Sequence, residues 1–157
     1  MAIEVEIAAH IERALDDVFG AVADIDTWPR WLIASGIVAI HRAQGAAGTP
    51  PTVGEAMTIE QRAAGRAGTF AVTVTAVESG RRLALDGRDG DGVKIAIDAR
   101  LTPALTGQSG TDLRWSFRID LPFRYRVFES MAAPQVRRAA ALDIEALRQR
   151  LESTATG

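Results

Sequence analysis

Alternating apolar and polar residues mark two stretches of the chain as strands. From Ile3 to Ile11 the odd positions carry isoleucine, valine or alanine, whereas the even positions carry glutamate, alanine or histidine. Successive side chains of a strand point to opposite faces of a sheet, so a period of two predicts a half-buried strand. The same alternation is cleanest in residues 113–121, where aromatic and aliphatic side chains alternate with mostly charged ones.

A helical period occurs after the first strand and again at the end of the chain. Residues 15–22 carry apolar side chains at spacings of three and four, and the segment 26–32 (DTWPRWL) predicts a second short helix capped by Asp26 or Thr27. Pro134 lies in the last helical segment and predicts a kink or a break, because proline has no amide hydrogen to donate. The last segment also has an apolar stripe: Val136, Ala140, Ile144, Leu147 and Leu151.

Between residues 37 and 121 the pattern predicts about six further strands. Residues 37–42 predict a short strand whose inner face the pattern does not identify, and residues 44–54 predict a loop rich in glycine and proline. Strands joined by short connections pair antiparallel, and only the C-terminal helix is long enough to cover the apolar face of the resulting sheet. The predicted fold is therefore α+β, with an antiparallel sheet of about seven strands, a long C-terminal helix and two short helices after strand one. Residues 1–157 are predicted to form one domain, with a frayed tail at 153–157.

Composition excludes several kinds of chemistry. The 157 residues carry a formal net charge of −2, and 47% of them are apolar, as in an ordinary globular protein. Without cysteine there is no disulfide, thiolate nucleophile or thiolate metal site. The basic residues are scattered, which argues against nucleic-acid binding. No run reaches the ~20 apolar residues of a membrane span and no secretory leader is visible, so we expect a cytoplasmic protein without stable membrane insertion.

Three segments carry motifs in a recognisable order. The segment after the first strand has an aromatic residue following valine, then aspartate, then aromatic–proline–x–tryptophan, at Val18, Phe19, Asp24, Trp28, Pro29 and Trp31. The segments 74–85 (VTAVESGRRLAL) and 134–152 (PQVRRAAALDIEALRQRLE) follow. This order resembles the START-like (SRPBCC) superfamily, in particular its polyketide cyclase/dehydrase and lipid-transport group. The resemblance implies a helix-grip fold, in which a seven-stranded sheet wraps around the C-terminal helix and encloses a cavity.

The implied cavity would be lined by the apolar face of each element. The expected ligand-binding residues are Trp31, Met57, Ile59, Gln61, Phe70, Val72, Val74, Ile95, Ile97, Trp115, Phe117, Phe128 and Met131. Gln61 is the polar member of this set, and a buried amide needs a partner such as a ligand carbonyl or hydroxyl, water or a backbone group. Phe123 and Tyr125, with Phe128 and Met131, occupy the region where the resemblance implies a lid. The predicted function is the binding of a small apolar molecule, such as a lipid, a polyketide or another hydrophobic metabolite.

Two other functions stay open. One is a polyketide aromatase/cyclase enzyme, for which His41 is a weak catalytic candidate because histidine titrates near neutral pH. The other is a protein-interaction domain of the chaperone-activator kind, with a shallow cavity and an exposed apolar patch. His10 is expected in solvent, and Asp86, Asp89 and Asp91 predict a hairpin turn rather than a calcium loop. No spacing indicates a metal site and no motif indicates a cofactor.

Overall fold

Seven strands form one antiparallel sheet in the computed structural model, which describes residues 2–63, 65–105 and 108–154. The strands are β1 (Ile3–Ile11), β2 (Ile37–His41), β3 (Ala56–Ala63), β4 (Arg66–Glu78), β5 (Arg82–Arg88), β6 (Lys94–Pro103) and β7 (Thr111–Asp120). Their order across the sheet is β1-β7-β6-β5-β4-β3-β2. The first strand therefore pairs with the last, whereas β2 to β7 are joined as consecutive neighbours, which confirms the predicted antiparallel sheet.

The helices lie where the helical period predicts them. The chain has α1 (Leu15–Ala23), a 3₁₀ turn (Ile25–Thr27), α2 (Trp28–Trp31), a 3₁₀ segment (Phe123–Phe128) and α3 (Glu129–Thr154). Thr27 occupies the cap position of α2, but its hydroxyl donates to the Asp24 carbonyl at 2.7 Å and does not cap the helix. Pro134 lies inside α3 without breaking it, because the one hydrogen bond it removes falls near the start of the helix. No helix among the described residues combines the length and apolarity needed to cross a bilayer.

The core lies between the helices and one face of the sheet, which we call the inner face. Ile59, Phe70, Ile97 and Trp115 on four different strands are at most 5% exposed there. A bulge in β4 follows Val74, and Val77 packs against the core beyond it, although simple alternation would continue the inner face at Ala76. α3 packs along β1, and its buried residues Ala140, Ile144 and Leu147 come from the predicted apolar stripe.

One buried arginine fastens the loop between β2 and β3. The Arg42 guanidinium donates to both carboxylate oxygens of Glu55, at 2.7 and 3.0 Å, and to Asp26 Oδ2 at 2.9 Å. The Arg42 side chain is only 1% exposed. Its hydrogen bonds hold the pKa of the Glu55 carboxyl below its ordinary value. The Arg42 guanidinium also donates to the Thr49 carbonyl at 2.9 Å, which connects the loop backbone to these ion pairs.

Candidate ligand cavity

An apolar cavity lies between the inner face of the sheet, the segment after α2 and the middle of α3. Its lining residues are Leu32, Ser35, Ile37, Ile59, Gln61, Phe70, Ile95, Ile97, Trp115, Phe117 and Ala140. The cavity leaves about 30 Å³ for the centres of water-sized molecules. One water molecule needs roughly 10–15 Å³ on this measure, so the present space holds about two.

The structure brings seven of the thirteen expected ligand-binding residues onto the cavity wall. These are Ile59, Gln61, Phe70, Ile95, Ile97, Trp115 and Phe117. Four more are buried in the core but do not line the cavity: Trp31, Met57, Val72 and Val74. Phe128 and Met131 lie outside the cavity, because 54% and 70% of their side-chain surface faces solvent.

Four lining residues were missed by the sequence analysis as cavity residues: Leu32, Ser35, Ile37 and Ala140. Ala140 belongs to the predicted apolar stripe of the last helix, and its small side chain leaves space where a larger one would fill it. Ile37 opens a predicted strand of uncertain facing. Ser35 lies in a turn between α2 and β2 and has no sequence signal that would place it at a site.

Three tryptophans pack against one another beside the cavity. The ring centroids of Trp28, Trp31 and Trp115 lie 5.5–6.2 Å apart with edge-to-face geometry, which is the favoured arrangement of aromatic pairs. The Trp28 indole N–H donates to the Val22 carbonyl at 2.9 Å. The buried Trp31 indole N–H has no hydrogen-bond partner among the described residues. Trp28 and Trp31 therefore support the Trp115 ring from behind.

Gln61 connects the cavity to α3 through a short hydrogen-bond chain. Its Nε2 donates to the Ser35 carbonyl at 2.8 Å. The Ser35 backbone N–H donates to Asp143 Oδ2 at 2.9 Å, and the Ala34 N–H donates to Asp143 Oδ1 at 2.7 Å. The turn between α2 and β2 is thus held from one side by β3 and from the other by α3.

Asp143 is the buried acid of this network, and the sequence analysis did not single it out. Only 2% of the residue is exposed, although the aspartate stands in a helix whose other buried positions are alanine, isoleucine and leucine. Burial raises the pKa of the Asp143 carboxyl, and the hydrogen bonds from Ser35 and Ala34 oppose that rise. The carboxylate is not part of the cavity wall, so its contact with the cavity runs through Ser35 and Gln61.

Both histidines lie on the surface. His41 has a side chain 61% exposed and lies 3.0 Å from a Glu60 oxygen, away from the cavity lining. His10 lies between Asp112 and Glu12 at 2.8 and 2.7 Å, and these hydrogen bonds, the one with Asp112 first, raise its pKa above the ordinary value.

The acidic segment between β5 and β6 is a turn that contains Asp89 and Asp91, as predicted, whereas Asp86 lies in strand β5. Asp89 Oδ1 accepts the backbone N–H groups of Asp91 and Val93, each at 2.9 Å. Arg66 from the neighbouring β3–β4 hairpin pairs with both Asp89 and Asp91. No group of three or more acids or histidines is arranged to hold a metal ion within the part of the chain that the structure describes.

Solved structures share this architecture. A START superfamily protein from Mycobacterium smegmatis aligns with a TM-score of 0.76 at 14% identity, covering 96% of this chain and 98% of that one. A protein from Mesorhizobium loti aligns with a TM-score of 0.68 at 20% identity, covering 96% and 98%. The di-domain ARO/CYC StfQ from the steffimycin biosynthetic pathway aligns with a TM-score of 0.75 at 10% identity, over 100% of this chain and 53% of its own. At such identities these likenesses show the fold alone.

Sequence comparison gives the family. No functionally curated protein matches the chain. The family model described as polyketide cyclase/dehydrase and lipid transport matches residues 2–152. Since this match covers nearly the whole sequence, the chain belongs to the polyketide cyclase/dehydrase and lipid transport family.

Proposed function

We propose that this protein binds a small, predominantly apolar molecule in the cavity beneath α3. The observation that carries the proposal is the wall itself, in which every described lining residue except Ser35 and Gln61 is aliphatic or aromatic. A mostly apolar wall with a few placed polar groups is the usual composition of a small-molecule site. The membership of a family that includes lipid transport supports the same reading.

Gln61 narrows the class of ligand. One hydrogen of its Nε2 is used by the Ser35 carbonyl, which leaves a second N–H and the side-chain carbonyl oxygen on a cavity residue. A hydroxyl group is both donor and acceptor, so it can satisfy either of these groups. The expected ligand is therefore an apolar molecule with a hydroxyl that meets Gln61.

Binding requires the cavity to enlarge. Sites for drug-sized molecules usually occupy about 300–1,000 Å³, and the present space holds about two water molecules. The part of the wall that lies outside any helix or strand is residues 32–36, a turn held by hydrogen bonds with Gln61 and Asp143. We propose that this segment shifts when ligand enters, which would break the hydrogen bond between Gln61 and the Ser35 carbonyl and free the amide for the ligand.

The lining supports binding more than acid–base catalysis. General acid–base catalysis needs a titratable side chain within hydrogen-bond reach of the substrate, and no described residue on the wall carries one. Cyclisation directed by positioning alone is the second candidate function, since the fold is shared with the ARO/CYC protein StfQ and orientation by itself accelerates reactions.

The test combines an untargeted and a targeted measurement. Native mass spectrometry of freshly purified protein should show added mass from a co-purified small molecule. Calorimetric titration should then show tighter binding of 2-naphthol than of naphthalene, because the two probes differ by one hydroxyl. Gln61→Leu should weaken 2-naphthol binding about three- to tenfold, which is one hydrogen bond, and leave naphthalene binding unchanged. Gln149→Leu, on the exposed side of α3, is the matched control.

Two results would contradict the proposal. Absence of added mass together with no binding of either probe would argue against a ligand cavity. If the protein turns over a polyketide-like substrate and His41→Ala abolishes this turnover with the fold intact, the protein is an enzyme and the binding proposal is wrong.

A further inference from the structure

A cluster of exposed apolar side chains lies where the chain enters α3. Phe123, Val127, Phe128 and Met131, which we call the apolar patch, are 87%, 75%, 54% and 70% exposed. Val127 and Phe128 precede Met131 by four and three residues, so each of them is a neighbour of Met131 on the surface of the helical segment. Large apolar residues scattered singly on a surface need no explanation, but four of them within nine residues do.

The segment that carries the apolar patch is anchored to the rest of the protein. Tyr125, between the exposed residues, packs against the hydrophobic core. Its ring is covered by the Arg124 guanidinium at 4.8 Å and by that of Arg66 at 5.9 Å. Arg66 in turn pairs with Asp89 and Asp91 of the β5–β6 turn. The 3₁₀ segment thus presents its apolar side chains outward from a fixed base.

The segment that carries the patch differs in net charge sign from the rest of the chain. Residues 123–138 contain four arginines and one glutamate, a formal charge of +3. The whole chain carries −2, so the remainder carries −2 − 3 = −5. Arg126, Arg137 and Arg138 are exposed and make no ion pair among the described residues. Arg138 follows Met131 by seven residues, two helical turns further along the same face.

We propose that the apolar patch and its arginines form a docking surface for an anionic lipid bilayer. Apolar side chains that project from a basic, partly helical segment can enter the boundary between headgroups and acyl chains, while the arginines meet the lipid phosphates. A bilayer matches this surface better than a protein partner does, because the four exposed apolar side chains are accompanied by exposed arginines that can meet lipid phosphates. The proposal concerns the surface and does not depend on the cavity ligand.

Vesicle binding tests the proposal with the intact protein. Vesicles of phosphatidylcholine with about 30% phosphatidylglycerol should sediment the protein, and vesicles of phosphatidylcholine alone should sediment much less of it. Raised salt should weaken the binding to anionic vesicles, because screening shortens the reach of the arginine charges.

Two pairs of variants separate the apolar and the electrostatic contributions. Phe123→Ser/Phe128→Ser should reduce binding to anionic vesicles at least about tenfold, whereas Val53→Ser/Leu105→Ser, which removes exposed apolar side chains elsewhere, should not. Arg126→Glu/Arg138→Glu should also reduce it at least about tenfold, since each arginine near an anionic surface contributes about fivefold. Arg30→Glu/Arg81→Glu changes the net charge equally at exposed positions on other elements and should have a much smaller effect.

The outcomes are distinct. The docking surface is supported if Phe123→Ser/Phe128→Ser and Arg126→Glu/Arg138→Glu both lose vesicle binding while their melting temperatures stay unchanged. Both control variants should still bind the vesicles. Equal binding by wild type and the patch variants overturns the proposal. The proposal is also overturned if the wild type does not bind vesicles but forms a concentration-dependent dimer that Phe123→Ser/Phe128→Ser abolishes. In that case the apolar patch is a contact between two copies of the chain.

Discussion

Asp143 is the buried group whose replacement tests the architecture of the site most directly. Its carboxylate holds the N–H groups of Ala34 and Ser35 at 2.7 and 2.9 Å, and no lysine or arginine pairs with it among the described residues. Asp143→Ala removes the acceptor of both backbone donors, of which Ser35 is half-buried and Ala34 is exposed to solvent. A buried unsatisfied donor costs about 1–3 kcal/mol, and water can reach the Ala34 N–H, so we expect the free energy of unfolding to fall by about 1–3 kcal/mol.

Asp143→Asn isolates the charge. The folded-state pKa of Asp143 lies above its ordinary value because the carboxyl is buried. The folded protein therefore binds this proton more tightly than the unfolded chain does. The resulting stabilisation is fully present below the unfolded pKa, near 3.8, and is lost as the pH rises through the folded pKa.

Denaturant unfolding measured from about pH 4 to pH 7 checks this sign. The difference in unfolding free energy between wild type and Asp143→Asn cancels the contributions of all other titrating groups. The unfolding free energy of the wild type relative to Asp143→Asn should fall as the pH rises, whereas Asp86→Asn, which alters an exposed carboxylate of strand β5, serves as the control. If this difference does not change with pH, or if the wild type gains stability relative to Asp143→Asn as the pH rises, the reasoning is refuted. Such a result would show that the two N–H hydrogen bonds lower the pKa of Asp143 at least as much as burial raises it.

Three further predictions concern stability. Arg42→Met should lower the free energy of unfolding by about 3–5 kcal/mol in chemical denaturation, because it leaves the Glu55 carboxylate without its buried partner. Arg118→Met, which removes an exposed surface pair, should lower it far less. Gly87→Ala should lower the melting temperature, since an added Cβ would lie 2.4 Å from a carbonyl oxygen of the neighbouring strand; an unchanged melting temperature would contradict this. The raised pKa of His10 implies stability that is present below pH 6.5 and is lost as the pH rises through the folded pKa, so His10→Gln should flatten the pH dependence of the melting temperature.

Local patterns were enough to predict the elements of the fold. The first strand was predicted at Ile3–Ile11 and is found there, because its alternation directly reflects one buried and one exposed face. The apolar stripe of α3 was likewise visible from its helical spacing. The bulge after Val74 was not predictable, since inserting one residue into a strand leaves no signature in apolar spacing alone.

The candidate site was predictable only in part, and for a physical reason. Alternation assigns Met57 and Ile59 to the same inner face, but only Ile59 borders the cavity, because the helices cover one part of that face and leave another open. The same limit applies to Phe128 and Met131, which are apolar by sequence and exposed by position. The spacing of apolar residues along the chain reveals which face of an element a side chain occupies, but it does not reveal which other element packs against that face.

By itself, the sequence determined the order and type of the elements, the two alternating faces of the longer strands and the resemblance that implies a cavity. Only the tertiary structure decided that Asp143 meets the turn at Ala34 and Ser35, more than one hundred residues away in the chain. That contact depends on the rotation of α3 about its axis and on its position along the sheet. Both are set by the packing of many side chains together and by no single segment.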